Sequence, residues 1–190
     1  MLMYLTIEDL EKVQTQLTEA HLDYRLELVN GEIKIMGLSD YISEEIIARL
    51  IFFLQMWVIP RKLGRVTGSS AGFRMPNGDL LGPDVSFVRA ERMSRSPRSF
   101  AQIVPDLVVE VRSATDNIKP LREKIEMFLL LGSQVGILID PKNFKVIVYR
   151  PNDQLVELDN QDILTIPEIL PGWELSISEL WPPVFDLEEN

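Results

Sequence analysis

The sequence predicts a mixed β-sheet with helices packed on it, an α/β or α+β fold. Three observations carry this. Asn30-Gly31 stands between two alternating runs, the strongest short-range hairpin signal. Two segments, 43–58 and 121–131, repeat apolar residues at helical spacing. Short β-branched runs lie between and after those helices, giving the order helix, hairpin, helix, strands, helix, strands.

Thr6 to Leu17 reads as a short amphipathic helix, with Thr6 as N-cap and Asp9 three residues on as an acidic form of the capping box. Tyr24 to Val29 and Glu32 to Met36 are the hairpin strands. Ser43 to Val58 is helical, with Ile46, Ile47, Leu50, Ile51, Leu54 and Trp57 on one face, and Pro60 is expected to stop it. Arg65 to Ser70 and Ala71 to Met75 are short strand pieces, followed by a turn at Asn77-Gly78-Asp79. Val85 to Val88 is a strand, Arg89 to Ser99 an Arg/Ser-rich loop, and Leu107 to Arg112 a buried strand. Leu121 to Leu131 is a helix capped by Gly132. Val135 to Ile139 and Phe144 to Tyr149 are strands about a turn at Asp140-Pro141-Lys142-Asn143. Ile163 to Ile166 is a small strand, and Ile177 to Trp181 a turn of helix.

The 190 residues suit one domain, 1–190, with a sizeable core. No repeat or linker is visible. There are no cysteines, which excludes a disulfide framework, a thiolate metal site and a cysteine nucleophile. The one histidine, His21, lies in a polar stretch and reads as solvated, so His-rich zinc catalysis and a Ser-His base are disfavoured. The apolar start, Met1 to Leu5, is short and followed by Glu8 and Asp9, unlike a signal peptide. Ile46 to Ile59 is too short and polar to span a membrane. The expectation is a cytoplasmic protein.

The net charge of −10 argues against a nucleic-acid binder until its distribution is read. Residues 151–190 hold ten acidic residues and no Lys or Arg. Segment 61–98 holds eight basic residues (Arg61, Lys62, Arg65, Arg74, Arg89, Arg92, Arg95, Arg98) against three acidic ones. A basic segment of this kind permits phosphate contact, and a solvated loop reads equally well.

Two carboxylates stand against apolar strands: Asp84 enters one, and Glu110 lies within the next. Such placement is costly unless the group is paired or binds a cation. Together they suit Mg²⁺ or Mn²⁺, which prefer oxygen ligands and keep waters, with a carbonyl such as that of Val111 completing the protein ligands. Lys124 falls in the buried arc of its helix, beside Leu121, Ile125 and Phe128. It could serve as a base if burial depressed its pKa; Arg112 could not, since arginine stays charged. The plain alternatives are a turn cap for Asp84, an ion pair for Glu110 and a snorkelling lysine at 124.

Pro83-Asp84, followed by Glu110-Val111-Arg112, resembles the PD-(D/E)XK motif of restriction-endonuclease-like nucleases. The wider blocks are more specific. Tyr24 to Met36, Gly82 to Val88, Pro105 to Ser113, Glu123-Lys124 with Gly132, Ile139-Asp140-Pro141 and Leu170-Pro171-Gly172-Trp173 resemble, over nearly the whole chain, the Uma-two family, a bacterial endonuclease group in that superfamily. The resemblance implies a restriction-endonuclease-like mixed sheet flanked by helices, with an N-terminal helix and hairpin. It implies a metal held by Asp84 and Glu110. Arg112 stands where the motif has its lysine, and Lys124 matches a lysine that relatives carry on the following helix. Ser43 stands where relatives often have His, and Glu44 beside it is a further carboxylate candidate.

The leading expectation is therefore a Mg²⁺- or Mn²⁺-dependent hydrolase of DNA phosphodiester bonds, with segment 61–98 on the backbone and no base readout. A homodimer is compatible with this, since cutting both strands takes two sites. The rival expectation is an inactive nuclease fold that binds nucleic acid or a protein partner. The apolar residues spread through 163–181 imply that the acidic end folds onto the domain.

Overall fold

A computed structural model describes residues 4–22, 24–152 and 154–185, so Met1, Leu2 and Met3 of the apolar start lie outside the described residues. The first helix, α1 (Ile7–Glu19), has the predicted cap: Asp9 N–H donates to Thr6 Oγ1, and Thr6 N–H donates to Asp9. The hairpin strands are β1 (Arg25–Val29) and β2 (Glu32–Met36). Asn30 and Gly31 join them at φ 51° and 77°, the left-handed pair that a two-residue turn of the right twist requires.

Next comes α2 (Tyr41–Arg61), which passes through Pro60 rather than stopping before it. A proline in the last turn forfeits one hydrogen bond, and the helix ends one residue later at Arg61, capped by Lys62 in the left-handed region at φ 54°. Then follow β3 (Gly64–Gly68), β4 (Phe73–Arg74), β5 (Leu80–Leu81), β6 (Val85–Arg89) and β7 (Leu107–Val111). The helix α3 (Ile118–Leu131) starts three residues before the predicted Leu121, because Pro120 sits in the first turn, where no backbone N–H is needed. The chain continues as β8 (Val135–Asp140), β9 (Lys145–Arg150), β10 (Gln154–Leu158), β11 (Ile163–Thr165), β12 (Glu174–Ser176) and a single 3-10 turn, Ile177–Glu179. Three of these strands were not foreseen. β5 has two residues and β12 three, too few to show a period, and β10 is an exposed edge strand with no buried alternation.

The main sheet has six strands in the order β10-β9-β8-β7-β6-β3. β7 and β8 run parallel, with α3 as their crossover, and the other pairs are antiparallel. A smaller sheet, β2-β1-β5-β4, carries the hairpin. Alternation along β7 divides its side chains between two layers. Val109 and Val111 join the core under α2, with Leu164, Leu170, Trp173 and Ile177 of the chain's end. Val108 packs with Phe128 of α3 on the other face, and Glu110 shares that face. The fold is thus the mixed α+β sheet with flanking helices, N-terminal helix and hairpin that the sequence predicts.

The seat of α3 on β8 is close. A Cβ on Gly136 would lie 2.3 Å from Ile125 Cγ2 and 3.8 Å from Tyr149 Cβ. Gly136→Ala should therefore destabilise the chain by about 1–3 kcal/mol, the usual cost of overpacking a filled interior, read as a lower urea midpoint at an unchanged m-value.

Candidate active site

Four ionisable side chains from four elements meet at one cleft of about 800 Å³ between the hairpin and α3. Glu27 comes from β1, Asp84 from the turn before β6, Glu110 from β7 and Lys124 from α3. Glu27 and Glu110 are 5% and 3% exposed, so their charges must be met from within.

Lys124 meets them. Its Nζ donates to Glu27 Oε1 at 2.9 Å and to the Gly82 carbonyl at 3.0 Å, and lies 3.1 Å from Glu110 Oε1. The Gly82 N–H donates to the same Glu27 oxygen at 2.8 Å. Asp84 is fixed two residues on, its Oδ2 accepting the Val111 N–H at 2.8 Å. The strand end that carries Glu110 thus also orients Asp84.

Glu110 Oε1 is within ion-pair reach of the ammonium but has no hydrogen-bond geometry with it, and no other partner among the described residues. It is an orphaned buried oxygen beside a second carboxylate, and so fits a hard cation. No set of three or more His, Cys, Asp or Glu side chains among the described residues is placed to hold a metal. The fit is therefore to two carboxylates with a carbonyl and waters, the incomplete protein shell that Mg²⁺ tolerates.

Burial pushes the Glu110 carboxyl up to about 8; Lys124 opposes this, and Asp84 and Glu27 add to it. Burial also raises Asp84, against the Val111 N–H, Lys124 and Arg25, with Glu44 adding to the rise. For Lys124, burial pulls downward, but Glu110 and Glu27 outweigh it and hold the ammonium above its ordinary value. A Glu110 that keeps its proton adds little to the hold on the ammonium. Glu27 supplies that hold, because its direct hydrogen bond favours the ammonium whether or not Glu110 is ionised. Lys124 is therefore a fixed cation and not the base that a depressed pKa would have made it.

The other predicted residues are placed differently. Arg112 does not line the cleft: its Nη1 is 3.0 Å from Asp140 Oδ2, and its Nε donates to the Asp116 carbonyl at 3.2 Å. Ser43 is buried as a tie, its hydroxyl 3.0 Å from Asp40 Oδ2 and 3.3 Å from the Arg112 carbonyl. Glu44 is exposed, in a separate shallow hollow with residues 68–71. His21 is exposed. The second Pro-Asp pair is structural: buried Asp106 holds Arg89 at 3.0 Å and Arg92 at 2.8 Å. Much of the basic segment is spent in this way. Arg65 donates to the carbonyls of Met93 and Ser94, Arg74 pairs with Glu11, and Arg61 lies 3.5 Å over the Trp57 ring. Among the described residues, Lys62, Arg95 and Arg98 have no such partner.

Glu27 is the residue that sequence reading missed. It lies between Leu26 and Leu28, so alternation assigns it to the outer face of a hairpin. Its burial comes from α3, which arrives 97 residues later in the chain.

A family model described as "Uma2: Putative restriction endonuclease" matches residues 7–178. The chain belongs to this family. Among solved structures it is similar to a "putative nuclease belonging to DUF820" from Anabaena variabilis ATCC 29413, at TM-score 0.74 and 23% identity, over 82% of this chain and 88% of that one. That likeness shows the fold. A cryoEM DrdV–DNA complex matches at TM-score 0.35 and 15% identity, over 60% of this chain and 11% of that one, too little to carry an argument. No curated protein matches the chain. No helix among the described residues is long and apolar enough to cross a membrane.

The raised Glu110 gives a pH signature. Its ordinary value is 4.5 and its folded value about 8, so between them the folded chain holds a proton that the unfolded chain has released. Stability of the metal-free protein should then fall as pH rises through that window. Urea midpoints in the presence of a chelator should show the fall in the wild type and its loss in Glu110→Gln.

Proposed function

We propose that the chain is a divalent-metal-dependent endonuclease that hydrolyses phosphodiester bonds in DNA, with residues 1–190 acting as one restriction-endonuclease-like domain. The observation that carries this reading is the convergence of Asp84 and Glu110, with the orphaned Glu110 oxygen, beside a lysine held charged. Family membership supports the nuclease class. Ionising Glu110 beside Glu27 and Asp84 would set three carboxylates around one ammonium, a deficit of positive charge that a divalent ion would fill as it displaces the Glu110 proton.

Asp84, Glu110 and the Val111 carbonyl would hold Mg²⁺ or Mn²⁺. When bound, the ion supplies a Lewis acid and lowers the pKa of a water nucleophile. Lys124, locked by Glu27 and the Gly82 carbonyl, offsets charge that builds on the phosphate. It needs no reorganisation to do so. Arg112 acts at one remove: paired with Asp140, it fixes the chain just beyond β7. Arg95 and Arg98 are the members of segment 61–98 left to meet backbone phosphates. Cutting both strands at one place would take two copies.

Calorimetry with Mg²⁺ and Mn²⁺, and cleavage of plasmid DNA by the same samples, test the reading. The wild type should bind and cut. Asp84→Ala and Glu110→Ala should lose both together; Lys124→Met should lower the urea midpoint, because it leaves buried Glu27 and Glu110 without their cation, and its folded fraction should lose about 10²–10³-fold in rate. A wild type that binds no metal and leaves DNA intact would overturn the proposal, and retained DNA affinity would then favour the binding-only reading that Arg112's engagement with Asp140 makes reasonable.

Arg98→Ala should weaken DNA binding uniformly across sequences and reduce the salt slope by about 1, as for loss of one phosphate contact. Arg92→Ala should instead lower the urea midpoint, because it strips a partner from buried Asp106.

A further inference from the structure

The helix α2 is apolar on two sides. Ile46, Ile47, Leu50, Leu54 and Val58 are buried against the main sheet. Its outer side shows Tyr41 at 84%, Phe52 at 57%, Met56 at 61% and Ile59 at 65% exposure. With exposed Glu44 and Ala48 they form one stripe, spaced three or four residues apart, along the full length of the helix. A helix apolar all round is ordinarily covered all round.

The stripe is complementary to itself. In an antiparallel pair related by a two-fold axis through Phe52, Ala48 of one copy meets Met56 of the other. A small side chain faces a long flexible one, twice. The ends match in charge as well. Glu44 and Glu45 lie in the first turns and Arg61 and Lys62 at the last, so antiparallel pairing sets each acidic end against the basic end of the second copy. Parallel pairing would set like against like. Exposed Lys62 has no ion-pair partner within its own chain among the described residues. We infer that the outer face of α2 is an isologous dimer interface, occupied by α2 of a second copy with Phe52 on the axis. The inference stands on this helix face alone and does not depend on the chemistry assigned to the cleft.

The chain contains no cysteine, so a single introduced thiol reports on the axis without interference. Phe52→Cys should oxidise to a covalent dimer, because residues on a two-fold axis come within the short Cβ–Cβ reach of a disulfide. Ile59→Cys should not, since seven residues from the axis at about 1.5 Å each leaves the two thiols about 21 Å apart. Sedimentation equilibrium should give a dimer for the wild type and a monomer for Phe52→Asp, with unchanged circular dichroism as the check on folding. Lys62→Glu should weaken the dimer at least several-fold, and Glu44→Lys in the same chain should recover most of that loss. A wild type that stays monomeric at all concentrations overturns the inference. So does a dimer that survives Phe52→Asp, or in which Ile59→Cys cross-links as fast as Phe52→Cys. Neither result bears on metal binding or cleavage, which are read separately.

Discussion

The ammonium of Lys124 is the contact on which the rest of the site depends. A buried charge is tolerated only when its partners repay its desolvation. Here the partners come from three places: Glu27 on the smaller sheet, Glu110 on the larger one, and the Gly82 carbonyl in the turn that presents Asp84. One side chain thereby joins both sheets, α3 and the turn before β6. The same contacts decide its chemistry. A lysine that serves as a base must lose its proton readily, and one shared by two carboxylates does not.

That ammonium can reach Glu110 only because α3 lies tight on the parallel pair β7–β8. Ile125, the next residue along the helix, fills the place a side chain at Gly136 would take. The parallel crossover fixes which face of the sheet α3 covers, and alternation along β7 then puts Glu110 on that face and Val111 under α2. Val111 contributes only its backbone, as the donor that aims Asp84. The cleft follows from strand period, crossover and one missing side chain, with Ser43 and Asp40 tying the end of β7 to the start of α2.

Much of this was legible in the sequence for a physical reason. Glu110 stands inside an apolar strand and Lys124 inside a buried arc, and both are anomalies of local pattern. The hairpin, the Thr6 cap and the Gly132 cap are likewise local. What escaped depends on partners far along the chain. Glu27 obeys strand alternation perfectly and is buried only by tertiary contact. Arg112 is next but one to Glu110 and reads as its companion, yet β7 ends at Val111 and the guanidinium goes to Asp140. The basic segment reads as one surface because composition counts charges and not their partners; Asp106 alone absorbs two of its arginines.

The same accounting bears on the net charge of −10, which looks adverse for a protein proposed to bind DNA. Among the described residues, the apolar part of the acidic end packs away from the cleft. Its apolar residues Leu164, Ile166, Leu170, Trp173 and Leu175 are buried in the α2-side core, the layer opposite Glu110 and Lys124. Part of its charge is met there: Lys145 lies 2.6 Å from both Glu157 and Asp159, and Arg150 pairs with Glu168. The core layer that holds these apolar residues lies across the main sheet from the cleft, and the Debye length at physiological salt, about 8 Å, limits how far exposed charge acts. The cleft itself is lined by Arg25, Lys34 and Lys124 against five carboxylates, so a polyanion is drawn to it only once a divalent ion has entered. The field that governs such an encounter is that of the cleft and its rim, and the total charge of the chain is a poor guide to it.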